Sequence, residues 1–254
     1  MHLYELFSCR ISGSLELPHL PDMLFPRNGL SLQHKLGFGI RFDPVEALQT
    51  VNATEDLVHV AMSKEWLEAR ADHANINKIA KPYDWTFTPS NYKGSLQSSE
   101  DNAALLVTTT DERIDYEKLK VQEKILFFDE IILYEDELDD NGIAKLSLKI
   151  VSFTHHIVDK MRKKTFVFQR AMPSGFFVLQ RFFLRVDNTL IRVIDSRLYH
   201  DVTKTFMLRE YSERESRIED LKHISASLFT NENEIVQHLK LQKEVTEKLA
   251  FPPT

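Results

Sequence analysis

Ten histidines and one cysteine are the side chains here best suited to metal binding or nucleophilic catalysis. Their spacing supports neither. No two histidines stand in H-x-x-x-H or H-E-x-x-H, and the adjacent His155 and His156 point different ways on a strand or a helix. Cys9 is alone, so an intramolecular disulfide framework and a cysteine-based metal site are both excluded. With seven glycines in the chain there is no G-x-x-x-x-G-K-[ST] and no G-x-S-x-G, and Gly37-Phe38-Gly39 lacks the third glycine of G-x-G-x-x-G. The run Glu135-Asp136-Glu137 with Asp139-Asp140 has calcium-ligand chemistry but lacks D-x-[DN]-x-[DN]-G and the closing glutamate; it reads as a solvated strand end before a hairpin. Lys160-Met161-Arg162-Lys163-Lys164 has the composition of a nuclear-localisation or phosphate-binding cluster, with a solvated loop as the favoured reading. No enzyme, no metal and no cofactor is expected.

Composition narrows the class further. Across 254 residues, 43% are apolar and 28% charged, ordinary values for a globular chain able to bury a sizeable core. The formal charge of −6 opposes a general nucleic-acid partner. The opening MHLYELFSCRISGS lacks a basic start and a long apolar run, so no secretory signal is expected. The apolar stretches Phe176–Leu179 and Phe182–Leu184 are broken by Gln180 and Arg181, and no apolar run in the chain approaches the roughly 20 residues that cross a bilayer. Asn52-Ala53-Thr54 is then a coincidental sequon. The expected compartment is the cytosol, with the nucleus as a second location.

The elements that would position a functional surface are mostly strands. Pro18, Pro21 and Pro26 keep the first 30 residues from forming a long helix. Gln33–Phe42 reads as one strand bent at Gly37 and Gly39, and Asp43-Pro44 opens a short helix through Val51. Leu57–Met62 is strand-like, Lys64–Ala71 helical, Tyr83–Thr88 an aromatic strand, and Asp115–Glu123 a charged helix. Lys124–Leu138 and Ile143–Ile150 flank Asp140-Asn141-Gly142 as a hairpin; a second hairpin joins Phe176–Val186 to Leu190–Leu198 through Asp187-Asn188. Asn231–Leu239 and Leu241–Leu249 read as helices ended by Pro252-Pro253. The elements do not alternate as βαβ units, so the expected fold is a single α+β domain with mainly antiparallel sheet flanked by short helices.

What remains is recognition chemistry. Ile191–Tyr211 carries Arg192, Asp195, Arg197, Tyr199, His200, Arg209, Glu210 and Tyr211. Arginine and tyrosine anchor interfaces because they combine contact area with directional hydrogen bonds. The same residues also pair with one another on ordinary domain surfaces, and composition alone does not choose.

Several strings in fixed order carry a family resemblance: LPHLPDMLF (Leu17–Phe25), LGFGIRFD (Leu36–Asp43), KPYDWTFT (Lys81–Thr88), YKGSL (Tyr92–Leu96), FFDEIILYEDEL (Phe127–Leu138), RFFLRVD (Arg181–Asp187), IDSRLYH (Ile194–His200) and KTFMLREYSERESRI (Lys204–Ile218). Together, over about residues 15–253, the chain resembles the TOR signalling pathway regulator-like family, the Tap-interacting proteins of fungi. The resemblance implies a non-enzymatic regulator that binds the catalytic subunit of type 2A-like serine/threonine phosphatases, including its C-terminal tail, and inhibits or remodels it. It also implies links to an alpha-four-type adaptor and to TOR signalling. An adaptor whose main partner is another signalling protein is the alternative. The family's phosphatase-binding positions fall on Glu46 (commonly Asp), Ile114, Val193 (Met elsewhere) and Asp195. Asp195, flanked by Arg192 and Arg197, is expected at the phosphatase-binding cleft, with Arg197 and Tyr199 as neighbouring contacts; an internal salt bridge is the competing role.

Two departures from the family pattern stand out. The family begins with a tryptophan-containing strand, whereas the residues before Leu17 contain no tryptophan, so an edge strand is expected to be missing or replaced. Residues Val151–Gln169 also form an insertion between strands that the family joins directly. Its Val-Ser-Phe start and Phe-Gln end are compatible with splice-site codons. The segment is therefore read as a translated intron or gene-model error, an excursion packed poorly against the sheet.

Overall fold

The computed structural model describes residues 15, 17, 19–35, 37–51, 84–98, 104–120, 124–154 and 174–252. Long amphipathic strands dominate them, and their alternation dictates the architecture. The first elements are β1 (Met23–Leu24), β2 (Leu30–Gln33), β3 (Gly39–Phe42), α1 (Pro44–Gln49), β4 (Ser95–Gln97), β5 (Leu106–Thr109) and α2 (Tyr116–Lys120). The long strands follow: β6 (Lys124–Asp136), β7 (Gly142–Thr154), β8 (Gly175–Val186), β9 (Leu190–Asp201) and β10 (Phe206–Arg217). Two 3₁₀ turns, the four-residue α3 (Glu232–Ile235) and a third 3₁₀ turn lead into β11 (Lys240–Ala250). β1, β6, β7, β8, β9, β10, β11 and β5, in that order, form one sheet, while β2, β3 and β4 form a second. Every pairing is antiparallel.

Alternation sorts the large sheet into two faces. On one, Ala144, Leu146, Leu148 and Ile150 of β7 join Val178, Phe182 and Leu184 of β8 and Ile194 and Leu198 of β9. The small sheet and α1 close this core with Phe38, Ile40, Phe42, Ala47 and Leu48. The other face carries two smaller apolar clusters. One gathers Phe183, Ile191 and Val193 under Leu221, Ile235 and Leu239. The second gathers Ile114, Phe153, Tyr199 and Leu208.

The two long hairpins form where their turn residues place them, and α1 forms behind Asp43, whose side chain accepts from the N–H groups of Val45 and Glu46. The first hairpin turn is wider than Asn-Gly alone requires: Leu138, Asp139 and Asp140 all adopt positive φ. Asp136 is buried there, not solvated, because its carboxylate accepts from the backbone of Asp22 and Leu138.

Four local expectations are corrected. Residues 33–42 form a turn between β2 and β3 in place of one bent strand: Gly37 adopts φ +87°, and the His34 N–H donates to the Phe38 carbonyl. Asp84–Thr88 is a turn in place of a strand, with the Thr86 N–H donating to the Asp84 carboxylate and Phe87 at φ +55°. Residues 231–239 are helical only in short pieces, and 241–249 are not helical at all. Their Glu- and Lys-rich composition suits a helix, but β10 offers an open edge, and Arg209–Glu247 and Glu213–Lys243 meet as oppositely charged cross-strand pairs. Finally, Val151–Thr154 do not leave the sheet. They extend β7 between Lys124–Phe128 and Gly175–Phe177, with Phe153 buried. The rest of the insertion, the elements expected at 57–62 and 64–71, and the residues before Leu15 lie outside the described residues.

Candidate protein interface

The register of the large sheet lays the second face out in rows. One row runs Phe128, Val151, Phe177, Tyr199, Leu208 across β6 to β10. The next runs Glu130, Lys149, Leu179, Arg197, Glu210, and the next Ile132, Ser147, Arg181, Asp195, Ser212. Beyond them lie Phe183, Val193 and Arg214. An apolar bank therefore stands on either side of two charged rows.

Asp195 is 1% exposed. Its two carboxylate oxygens accept from Arg181 Nε at 2.7 Å and Nη2 at 2.8 Å, and Oδ2 also accepts from Arg197 Nη2 at 2.5 Å. A fork-to-fork pair of this kind is the strong form of a charged hydrogen bond. Arg181 is itself buried, which disfavours its charge, but the bonds and the negative charge of Asp195 outweigh that and hold its pKa above the ordinary arginine value. Its Nη1 reaches out of the sheet to the Glu232 carbonyl and Asn233 Oδ1, both at 3.0 Å, and so ties α3 down beside the charged rows. Arg192, expected beside Asp195, points to the opposite face and pairs with Glu215 at 2.6 Å.

The other bank is fixed by Glu210. Its Oε1 accepts from the Ile114 N–H at 2.8 Å and its Oε2 from the Tyr116 hydroxyl at 2.6 Å. Burial and the bond to Glu210 push the Tyr116 pKa up, so the hydroxyl keeps its proton. Lys118 of α2 donates to Asp201 Oδ2 at 2.6 Å, securing the same segment to the end of β9.

Of the six residues singled out in the sequence, five meet on this face. Ile114 and Tyr199 are buried together in one bank, Val193 in the other, and Asp195 in the row between. Arg197, half-buried, donates to Asp195. Glu46 lies elsewhere, on α1 beside the small sheet, accepting from Ser95 Oγ at 2.7 Å. Sequence reasoning missed Arg181, Glu210 as an anchor, and Asn233. A signal for Arg181 was present: equal steps outward from the Asp187–Thr189 turn put it opposite Asp195. None was present for Glu210 or Asn233, whose partners are brought in from remote segments.

This face is built of packed apolar banks and side chains that satisfy one another, and such an arrangement presents a shaped surface. Fold and face define an α+β domain on a mainly antiparallel sheet. A family model described as the TIP41-like family matches residues 23–222, and the chain belongs to that family. It is 45% identical to the TIP41-like protein of Homo sapiens over 243 residues, covering 96% of this chain and 81% of that one. Against the TIP41-like protein of Caenorhabditis elegans it is 35% identical over 93% of this chain and 75% of that one. Against the Saccharomyces cerevisiae protein named type 2A phosphatase activator TIP41 it is 30% identical over 91% of this chain and 65% of that one.

Proposed function

We propose that this chain regulates type 2A-like serine/threonine phosphatases by binding their catalytic subunit through the face that carries Arg197. The observation that carries the reading is the Arg181–Asp195–Arg197 network set between two apolar banks. Arg197 is its solvent-reaching member, with its side chain 25% exposed, and a guanidinium supplies several directed donors for a partner's carboxylate or backbone carbonyls. The yeast relative's name supports the phosphatase as partner. In this reading Asp195 acts as the positioning residue that aims Arg197, while Ile114, Val193 and Tyr199 shape the banks. Glu46, on a separate surface, makes a second contact. The phosphatase's C-terminal tail and an alpha-four-type adaptor complete the set of partners, in the cytosol or nucleus and under TOR signalling.

The bound catalytic subunit is inhibited in this proposal, although the yeast relative's name reads activator. Purified chain titrated into purified type 2A catalytic subunit, with binding by pull-down and hydrolysis of a phosphopeptide both measured, tests it. Capture with falling turnover is the expected outcome. Capture with rising turnover overturns inhibition alone. Absence of capture overturns the binding reading and favours an adaptor with another main partner.

A further inference from the structure

The proposed binding face is joined to α3 through one side chain. All three nitrogens of the Arg181 guanidinium are engaged: Nε and Nη2 on the Asp195 carboxylate, Nη1 on the Glu232 carbonyl and Asn233 Oδ1. A guanidinium is a rigid plane, so these two sets of bonds do not move independently. Arg181 cannot tilt to follow α3 without turning its fork out of the plane of the Asp195 carboxylate. Asp195 Oδ2 is in turn shared between Arg181 Nη2 and Arg197 Nη2. An unbroken chain of charge-assisted hydrogen bonds therefore runs from α3 to Arg197, the solvent-reaching member of the network.

α3 itself is lightly anchored. None of residues 222–231, which lead into it, is buried. Of its own four residues only Ile235 is, seated in the cluster of Phe183 and Val193. Lys145 of β7 pairs with the Glu232 carboxylate, and a cavity of about 400 Å³ lies alongside, with Lys145, Phe183, Arg185, Thr230 and Glu232 in its walls. Few buried contacts and adjoining space mark a segment that opens locally ahead of the sheet beneath it. We infer that α3 controls the Arg197 face. Docked, it locks Arg181, Asp195 and Arg197 into the geometry that receives the partner; lifted, it frees Arg181 Nη1 and Arg197 loses its aim. Asn233 is the positioning residue: its side chain is exposed, lies outside the apolar seat of Ile235, and bonds Arg181 directly. The inference rests on the phosphatase-binding reading of this face and extends it from the contact residues to their regulation. By linkage, whatever favours docked α3 strengthens capture, and capture favours docking by the same factor.

Nuclear magnetic resonance of the Arg197 guanidinium in the free whole chain is the primary measurement. The bond from Nη2 to Asp195 restricts rotation about Cζ–Nη2, so the wild type should show separate Nη2 proton signals. Asn233→Ala should average them at near-normal melting temperature, and Asn233→Asp, which keeps an Oδ acceptor for Arg181, should restore them. Capture of purified type 2A catalytic subunit should weaken about fivefold in Asn233→Ala and recover in Asn233→Asp. In an Arg197→Gln background Asn233→Ala should have no further effect on capture. Arg197 signals indifferent to Asn233→Ala overturn the inference, whether or not the phosphatase binds. Weakened capture with those signals unchanged also overturns it, because Asn233 then touches the partner itself. Averaged signals with no capture by the wild type would sustain the coupling of α3 to Arg197 and overturn the phosphatase reading alone.

Discussion

Arg181 and Asp195 face each other across the β8–β9 ladder, joined by two hydrogen bonds of 2.7 and 2.8 Å, with side-chain exposures of 5% and 1%. The carboxylate most suggestive of a partner in the sequence is thus engaged inside the protein. That changes how the interface is to be probed.

Asp195→Ala leaves a buried guanidinium without its counter-charge, a defect that costs about 3 kcal/mol or more. For a chain of this size the expected fall in melting temperature is roughly 10 °C. Scanning calorimetry checks it. Arg197→Gln keeps the Arg181 pair and should cost less than about 1 kcal/mol. Loss of phosphatase capture by Arg197→Gln at near-normal melting temperature would place Arg197 at the contact. Capture at full strength would remove it.

Glu210 holds the Ile114 bank through two hydrogen bonds. Glu210→Ala should release residues 110–120 locally. Hydrogen exchange at the Ile114 amide should quicken about five- to thirtyfold, matching a loss of about 1–2 kcal/mol. Unchanged protection would show that packing of Ile114 against Tyr199 and Leu208 suffices.

Asp201 is partly desolvated, which alone would raise its pKa, but bonds from Lys118 and Thr203 hold it well below its ordinary value of 3.8. A depressed folded-state pKa stabilises the fold above the unfolded value and loses that contribution as pH falls toward the folded one. Stability should therefore drop below about pH 4, and Lys118→Gln should shrink the difference between melting temperatures at pH 7 and pH 3. Equal differences in wild type and variant would refute the linkage.

Gly142 begins β7 at φ +152°, and a Cβ there would run into the Arg185 carbonyl. Gly142→Ala should cost at least about 2 kcal/mol, because backbone on both strands would have to move. Urea denaturation measures it, with a lower midpoint at unchanged slope expected.

Much of this molecule is legible from its sequence because the signals involved are local. Period-two alternation and turn residues set the hairpins of β6 with β7 and β8 with β9, and Asp43-Pro44 sets the start of α1. The grouping of Val193, Asp195, Arg197 and Tyr199 on one face also follows from alternation alone. The tertiary structure decided what has no local signal. Residues 241–249 are helix formers by composition, yet they become β11 because β10 leaves an edge whose charges match theirs. Asn233, Ile114 and Glu210 become neighbours of the Arg181–Asp195 pair only when remote segments close over the sheet. Residue types and spacing therefore determined which side chains share a surface. Long-range pairing decided which of them are consumed inside it, because a buried charge must find its partner wherever the chain brings one.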